Sequence, residues 1–300
     1  MPPVRHLFAA TDLSPASLQA VDRGFQIAAA TGARYTVMHA LGLDALGPLA
    51  NLLGEKASAV ALKAREGQQA ALQAIASDPA RSQGVAADVL VTEGMATSAV
   101  PEQVARAQAD VVVIGPKGRS TLRHLVIGST ASRLLRKSRS TVLVVKNPGG
   151  APYRRLLIPV DFSPGSEQSI RLARAIAPQA HIVLLHVFDV PFEGMLEYAG
   201  VSQDEIHRYR AEARVRALAQ LRELAARAGL ADGDFITSVE HGDAVQHILA
   251  QEEQSACDLI VMGKHGTHVT EELLLGSVTH RVLAESRADM LVVVDPYKPA

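Results

Sequence analysis

Three glycines at fixed spacing are the feature of this chain that is most suggestive of chemistry. Gly115 and Gly118 follow an apolar run typical of a buried strand, and nine residues separate Gly118 from Gly128. A helix-like segment follows. Glycine allows a backbone to approach an anion closely, and the free N–H groups of a first helical turn point toward it. This pattern is therefore suited to holding a phosphate group.

The same pattern occurs twice. Gly263, Gly266 and Gly276 repeat the spacing. Further landmarks recur after 147 to 149 residues, and they are the pairs Asp12-Leu-Ser-Pro and Asp161-Phe-Ser-Pro, Val37-Met-His and Leu184-Leu-His, and Gly94 and Gly242. The repetition predicts a duplicated domain with units at 1–147 and 153–300, joined by the linker Asn147–Pro152.

Both units alternate apolar runs with helix-like segments. The predicted strands are 4–10, 34–40, 85–91, 110–114 and 141–146, then 154–160, 181–187, 234–240, 258–262 and 289–294. The predicted helices are 15–30, 55–77, 97–108 and 129–137, then 164–177, 202–228, 243–255 and 277–286. This pattern predicts an α/β fold of two tandem open, doubly wound, five-stranded parallel sheets. Ligands in such sheets bind beyond the carboxyl ends of the strands, where Asp12, Gly115, Asp161 and Gly263 fall.

Composition limits the class of protein. The chain has 300 residues, a net charge of −1 and one cysteine, Cys257. A near-neutral charge favours neither nucleic acid nor membrane as a partner. The single cysteine cannot form an intramolecular disulfide, and the N-terminus lacks an apolar signal core. We expect a cytoplasmic protein.

At this point the sequence resembles the universal stress protein family in its tandem two-domain form. The resemblance rests on Gly-x2-Gly-x9-Gly-Ser in both halves, on an opening strand that ends in Asp-x-Ser, and on a second strand that ends near histidine. It covers essentially the whole chain. It implies a Rossmann-like fold of the adenine nucleotide alpha hydrolase-like class and, in the subgroup that keeps these glycines, ATP binding.

The resemblance also implies roles for individual residues. Asp12 and Asp161 would lie near the adenosine end of the nucleotide, and the backbone of Ala40 and Val187 would meet adenine. Phosphate and ribose contacts would come from Gly115, Gly118, Gly128, Ser129 and Thr130 in the first half, and from Gly263, Gly266, Gly276, Ser277, Val278 and Thr279 in the second. Lys117 and Lys264 follow the first glycine of each set and could contact a phosphate. The second copy, Gly-Ser-Val-Thr, is nearer the family pattern, so we expect nucleotide there first.

Simpler structural roles compete with these. The glycines could form ordinary strand-to-helix turns, and the aspartates and serines could cap helices. We interpret His39 and His186 as structural, Cys257 as inert packing, and a metal site at His265 and His268 as unfavoured because no carboxylate or cysteine stands at ligand spacing. The P-loop, Gly-x-Gly-x2-Gly and Gly-x-Ser-x-Gly motifs are missing, and no catalytic residue is evident.

The leading hypothesis is a stress-response or regulatory protein that acts through ATP occupancy. A slow ATPase or adenylyl-transfer enzyme and a nucleotide-free interaction scaffold are the alternatives. The segment between the glycines is basic in the first half (Arg119, Arg123, His124) and acidic in the second (His268, Glu271, Glu272), which suggests that Mg²⁺ accompanies nucleotide at the second site.

Assembly is predicted from the last strand of each half. These strands would be sheet edges that can pair within the chain, giving a pseudo-dimer, or with a second chain to give a homodimer. The protein partner of a regulatory protein is not identified by the sequence.

Overall fold

A computed structural model describes residues 4–42, 56–118, 127–148, 150–189, 201–266 and 275–294. The strands are β1 His6–Ala10, β2 Arg34–Leu41, β3 Ala87–Glu93, β4 Val111–Ile114, β5 Thr141–Val144, β6 Arg155–Pro159, β7 His181–Phe188, β8 Phe235–His241, β9 Leu259–Gly263 and β10 Asp289–Val293. The helices of the described ranges are α1 Pro15–Thr31, α2 Lys56–Ala76, α3 Pro79–Ser82, α4 Ala96–Ala107, α5 Ser129–Lys137, α6 Pro164–Ile176, α7 Gln203–Arg227, α8 Ala244–Ser255 and α9 Ser277–Glu285.

The strands form one sheet in the order β3-β2-β1-β4-β5-β10-β9-β6-β7-β8. Each half has the five-stranded parallel arrangement that the sequence predicts. The two halves meet at β5 and β10, which pair antiparallel with Leu143 opposite Leu291. The expected pairing of the two last strands within one chain is therefore confirmed.

The central strands are apolar throughout because both faces of the sheet are covered. In β4, Val111 and Val113 belong to one core, and Val112 and Ile114 belong to the other. Helices α1, α2, α6 and α7 pack on the first face, and α4, α5, α8 and α9 pack on the second. Each core includes residues of both halves, so apolar packing continues across the β5–β10 junction.

Helix α1 shows how local sequence sets the boundaries of an element. The hydroxyl of Ser14 caps the helix by accepting a hydrogen bond from the N–H of Ser17, and Pro15 begins the helix. The helix ends at Gly32, which adopts the left-handed conformation with φ of 71°. Glycine enters that region without steric cost, so the predicted start and end are both accounted for.

The observed boundaries lie within two residues of the predicted ones, and the differences at α3, β3 and β5 have local causes. The short helix α3 was not expected, and β3 begins at Ala87 because Val85 N donates to Ser82 O in a turn that closes α3. At the end of β5 the N–H of Val145 still donates to Ile114 O of β4 at 2.9 Å, but the N–H groups that follow turn away from the ladder. Those of Lys146 and Asn147 donate to the carboxylate of Asp289, at 2.8 and 2.9 Å.

A buried polar cluster fastens the junction between the halves. The carboxylate of Asp289 is fully buried, accepts a hydrogen bond from Tyr153 Oη at 2.7 Å, and lies 3.5 Å from Arg23 Nε. The Arg23 guanidinium also stacks on the Tyr153 ring at 4.2 Å. Burial, and next the charge of Asp289, raise the pKa of Tyr153 well above its ordinary value, so the phenol remains a donor.

No helix in the described parts of the chain combines the length and apolar character that crossing a bilayer requires.

Candidate functional site

The strand order creates one crevice in each half. From β1 the chain continues outward to β2 and β3, then crosses back to β4 on the other side of β1. The loops that follow β1 and β4 therefore diverge, and they bring Asp12 and Gly115 to one crevice. Strands β6 and β9 have the same relation in the second half, where Asp161 and Gly263 meet.

Each aspartate holds a strained turn between the first strand and helix of its half. Asp12 Oδ1 accepts a hydrogen bond from Ser14 N at 3.1 Å, and Asp161 Oδ1 accepts from Ser163 N at 3.1 Å. Between them, Leu13 and Phe162 have φ of 61° and 62°. Residues other than glycine seldom adopt this left-handed backbone conformation, and such strain concentrates at functional sites. The helix N-caps are the serines, so the aspartates hold the preceding turn instead of capping.

The second glycine of each set lies against the aspartate. A Cβ added to Gly118 would stand 2.6 Å from Asp12 Oδ2, and one added to Gly266 would stand 3.0 Å from Asp161 Oδ2. The loop backbone therefore touches the carboxylate oxygen that faces away from the turn. A Cβ at either glycine would force the carboxylate to move, and the carboxylate and loop border the same space in both halves.

The third glycine of each set begins a helix whose first turn is open. Gly128 and Gly276 are the N-caps of α5 and α9, and neither helix has a side-chain cap hydrogen bond. Ser129 and Ser277 are the first helical residues and are exposed, so they do not cap. Gly128 N donates to Pro116 O at 2.7 Å, and Gly276 N donates to Lys264 O at 2.9 Å, which closes each loop onto its helix.

These parts enclose a cleft in each half. The first has a volume of about 140 Å³ and the second of about 310 Å³. Of the predicted residues, the first cleft is lined by Asp12, Ala40, Gly115, Lys117, Gly118, Gly128 and Thr130. The second is lined by Asp161, Val187, Gly263, Gly266, Gly276, Ser277, Val278 and Thr279. Ser129 and Lys264 are not among the lining residues.

Both halves of the chain match one known protein family. The profile of the universal stress protein family matches residues 3–146 and again 152–294. The chain belongs to the universal stress protein family.

Relatives support the assignment, and a solved structure shows the same fold. The chain is 32% identical to universal stress protein MJ0531 of Methanocaldococcus jannaschii over 158 residues, which are 52% of this chain and 89% of the relative. It is 28% identical to MJ0577 of the same organism over 157 residues, 47% of this chain and 94% of the relative. A solved universal stress protein from Archaeoglobus fulgidus superposes with a TM-score of 0.67 at 18% identity, covering 97% of this chain and 98% of that one, and it shares the fold.

Lys264 lies elsewhere than the sequence argument expects for a phosphate ligand. It stands one residue after Gly263, whereas Lys117 stands two after Gly115, so Lys264 corresponds to Pro116 and His265 to Lys117. Its side chain is buried, and Nζ donates to Arg136 O at 2.7 Å and to Ser138 O at 3.0 Å, in the other half of this universal stress protein. The ammonium therefore contacts the end of α5 and does not reach the cleft.

Thr279 shapes the second cleft by holding a backbone carbonyl in place. Its buried hydroxyl donates to Gly263 O at 2.9 Å, which ties the first turn of α9 to the end of β9. The corresponding residue in the first half is Ala131, which is also buried but has no hydroxyl. The two clefts of this family member are therefore built differently where strand, loop and helix meet.

The two strand-end histidines have the structural role that was expected of them. His39 Nδ1 lies 2.8 Å from Thr11 O, and His186 Nδ1 lies 2.9 Å from Val160 O. Both rings bridge the second strand of a half to the residue after its first strand. They position the neighbouring Ala40 and Val187, which line the clefts.

Several lining residues were not predicted. Thr11 and Ser17 line the first cleft and share a hydrogen bond of 2.8 Å between their hydroxyls. His265 lines the second cleft. Position in the repeat identifies His265 as the counterpart of Lys117, because each residue directly precedes the second glycine of its set. Lys117 therefore gives the first cleft an amine side chain where the second has an imidazole.

Other predicted features fall outside the clefts or outside the described residues. The described ranges contain no group of three side chains suited to holding a metal ion. Burial raises the pKa of Cys257 to about 12, which fits an unreactive thiol. The segments with Arg119, Arg123 and His124, and with His268, Glu271 and Glu272, lie outside the described residues.

Proposed function

We propose that this universal stress protein binds an adenine nucleotide, ATP, in each of its two clefts, and that it acts in the stress response or its regulation through occupancy of those clefts. The observation that carries the proposal is the convergence, found twice, of a glycine loop, an uncapped helix N-terminus and a carboxylate at the switch point of a parallel sheet. Uncapped N–H groups and the helix dipole attract phosphate.

Each part of the cleft suits one part of the nucleotide. The glycine loops and the starts of α5 and α9 would hold phosphates through backbone N–H groups. Ala40 and Val187 would offer backbone groups to adenine, while apolar residues such as Ile248 and Met262 would cover its ring. Asp12 and Asp161 would use the oxygen facing the loop to accept a hydrogen bond from ribose. Lys117 would add a cation for phosphate in the first cleft.

The second cleft is the better candidate for occupancy. Its volume of about 310 Å³ reaches the lower end of small-molecule sites, which is about 300 Å³. The first, at about 140 Å³, would have to widen to admit a nucleotide. The second cleft also has Thr279, whose hydroxyl fixes the position of the Gly263 carbonyl.

Mg²⁺ would enter with the nucleotide, chiefly at the second cleft. Where Lys117 stands in the first cleft, the second has His265, so less permanent positive charge faces the phosphates. Mg²⁺ commonly binds through substrate phosphates and water, with few protein ligands. This fits described clefts that hold no cluster of three metal ligands.

Whether bound ATP stays intact depends on the groups that could activate water. Asp161 Oδ1 accepts hydrogen bonds from Ser163 N, Ser163 Oγ and Ser166 Oγ, so that oxygen is occupied by the turn. A general base must be within reach of the attacking water, and the candidates among the described residues that line the second cleft are Asp161 and the imidazole of His265.

The test combines the identity of the bound ligand with calorimetry on matched variants. Ligand released from purified protein is identified by mass spectrometry, and ATP, AMP and cAMP are titrated with and without Mg²⁺. The nucleotide cAMP is included because a solved universal stress protein is in complex with it. In G118V and G266V the added side chain would strike Asp12 or Asp161, so each should lose one site. Gly67 lies in α2 with open space around it, so G67V is the matched control.

Wild type and G67V should bind ATP at two sites, and G266V should lose the tighter one. The double variant G118V/G266V should bind at least about tenfold more weakly, since a tenfold change corresponds to loss of about 1.4 kcal/mol. ATP should remain intact over hours. If ADP or AMP forms with wild type but not with the double variant, the protein turns ATP over slowly and the occupancy proposal is wrong. If none of the three nucleotides binds, the remaining hypothesis is an interaction scaffold.

A further inference from the structure

Lys264 belongs to two places in the fold at once. Its backbone is part of the glycine loop of the second cleft, where its N–H donates to Val293 O at 2.7 Å and its carbonyl accepts from Gly276 N at 2.9 Å. Its side chain leaves the loop and crosses the junction between the halves. The side chain is buried, and Nζ contacts Arg136 O and Ser138 O.

Those two carbonyls close the end of helix α5. Arg136 lies in the last turn and Ser138 is the C-cap residue. The last carbonyls of a helix have no partner within it, and a cation there also interacts favourably with the helix dipole. Lys264 therefore stabilises the last turn of α5 from a loop that belongs to the other half.

The opposite end of α5 opens the first cleft. The helix begins directly after Gly128, and its first turn has no side-chain cap. Nine residues span about 13 Å at 1.5 Å per residue, so the two ends of α5 are only about two and a half turns apart. Leu134 connects the two ends because it packs in the core and also lines the first cleft.

The residues that correspond to this connection differ in the other direction. Helix α9 is closed by Lys146, whose Nζ donates to Leu283 O and Ser286 O, each at 2.9 Å. Lys146 follows β5 and is not part of the glycine loop of the first cleft. The residue of that loop which corresponds to Lys264 is Pro116, whose ring cannot reach across the junction. Neither Lys146 nor Pro116 therefore repeats the connection that Lys264 makes between a cleft loop and the helix of the other cleft.

We propose that the two nucleotide sites are positively coupled through Lys264. Nucleotide bound in the second cleft restrains Gly263–Gly266 and with it Lys264, the restrained lysine holds the last turn of α5, and the steadied helix presents its first turn to the first cleft. Coupling between sites is reciprocal for binding, and is typically about 5–150-fold. This inference rests on the proposed function, and it adds communication between the clefts.

Hydrogen exchange of α5 tests the coupling with the first cleft blocked. G118V leaves the second cleft available, and calorimetry confirms that ATP binds there. ATP should then slow exchange in residues 129–137 at least about fivefold, although the first cleft is blocked. In G118V/K264M the second cleft should still bind ATP within about threefold, which is under about 1 kcal/mol, but the slowing in α5 should be lost. G118V/K137M is the matched control, because it removes an exposed lysine from the same end of α5, and the slowing should persist.

The outcomes separate the two proposals. No ATP binding to G118V would overturn the proposed function and the coupling with it. ATP binding with unchanged exchange in α5 would overturn the coupling alone, and so would slowing that persists in G118V/K264M. If K264M does not fold, the comparison of G118V with and without ATP still contradicts the coupling when exchange is unchanged. In wild type, ATP should bind the first cleft at least about fivefold more tightly when the second is filled.

Discussion

At the scale of the residue, glycines that match in sequence meet different surroundings in the two clefts. A Cβ added to Gly115 would lie 2.8 Å from Ala16 O, in the backbone of α1, and 3.1 Å from Ser17 Cα. A Cβ added to Gly263 would lie 3.0 Å from His265 O, in its own loop. A packed helix cannot give way easily, whereas a loop can. The first glycine is thus a requirement of helix packing in one half and of loop shape in the other.

Replacing these two glycines by alanine should separate the two requirements. We expect G115A to lower the free energy of unfolding by about 1–3 kcal/mol, the usual cost of forcing extra volume into a packed site. G263A should cost less than about 1 kcal/mol, because the loop can shift and alanine restricts the unfolded chain. Urea denaturation of both variants beside wild type measures the difference. Equal losses would contradict the assignment of Ala16 as the constraint.

At the scale of the element, the ends of helices α5 and α9 matter as much as their starts. Each starts at a cleft and ends on a lysine from the opposite half, the buried Lys264 for α5 and the partly buried Lys146 for α9. The N-termini of the two helices occupy equivalent positions in the repeat, but Lys264 and Lys146 do not. Helix closure across the junction has therefore been reached by two separate routes.

The charge of Lys146 should make the closure of α9 depend on pH. Burial lowers the pKa of Lys146 to about 8, although Glu252 and Asp289 act to raise it. In the unfolded chain the proton is retained to the ordinary value of 10.5. Between these values the unfolded state binds more protons, so the stability attributable to this group rises with pH.

We therefore expect the free energy of unfolding of wild type, relative to K146M, to increase between about pH 8 and pH 10. The slope should not exceed about 1.4 kcal/mol per pH unit, since one unit of pKa corresponds to that energy. Urea denaturation across the pH range gives the difference, and K137M controls for loss of an exposed lysine on a helix end. A difference that falls with rising pH would contradict the buried amine.

The elements were predictable to the extent that their signals are local and repeated. Helix α5 was predicted at Ser129–Lys137 and is observed there, because glycine precedes it and an apolar face runs through it. The meeting of Asp12 with Gly118 could be inferred from strand order alone. The place of Lys264 could not, because its partner Arg136 lies 128 residues away and meets it only when β5 pairs with β10. Pairing Lys117 with Lys264 by residue type, and not by position in the repeat, conceals that Lys117 corresponds to His265.

At the scale of the whole molecule, the two halves share their interior. Both apolar cores pass through the junction, and the β5–β10 ladder has the Asp289 cluster at its edge. Arg23 and Asp289 come from opposite halves and are almost fully buried, with side chains 7% and 0% exposed. The corresponding residues, Leu172 and Thr141, cannot form such a pair, so the junction is fastened on one side of its pseudo-twofold axis.

A shared interior predicts that the halves unfold together, and that Asp289 controls the stability of both. We expect one calorimetric transition for wild type, with calorimetric and van't Hoff enthalpies equal. In D289N, Arg23 would remain buried without its counter-ion and Tyr153 would lose its acceptor, so stability should fall by about 3–5 kcal/mol. E102Q removes the exposed pair of Glu102 with Arg106 and should cost less than about 1 kcal/mol. Two separate transitions in wild type would mean that the cores are independent despite their contact. A loss in D289N no larger than that in E102Q would mean that the apolar ladder alone holds the halves together.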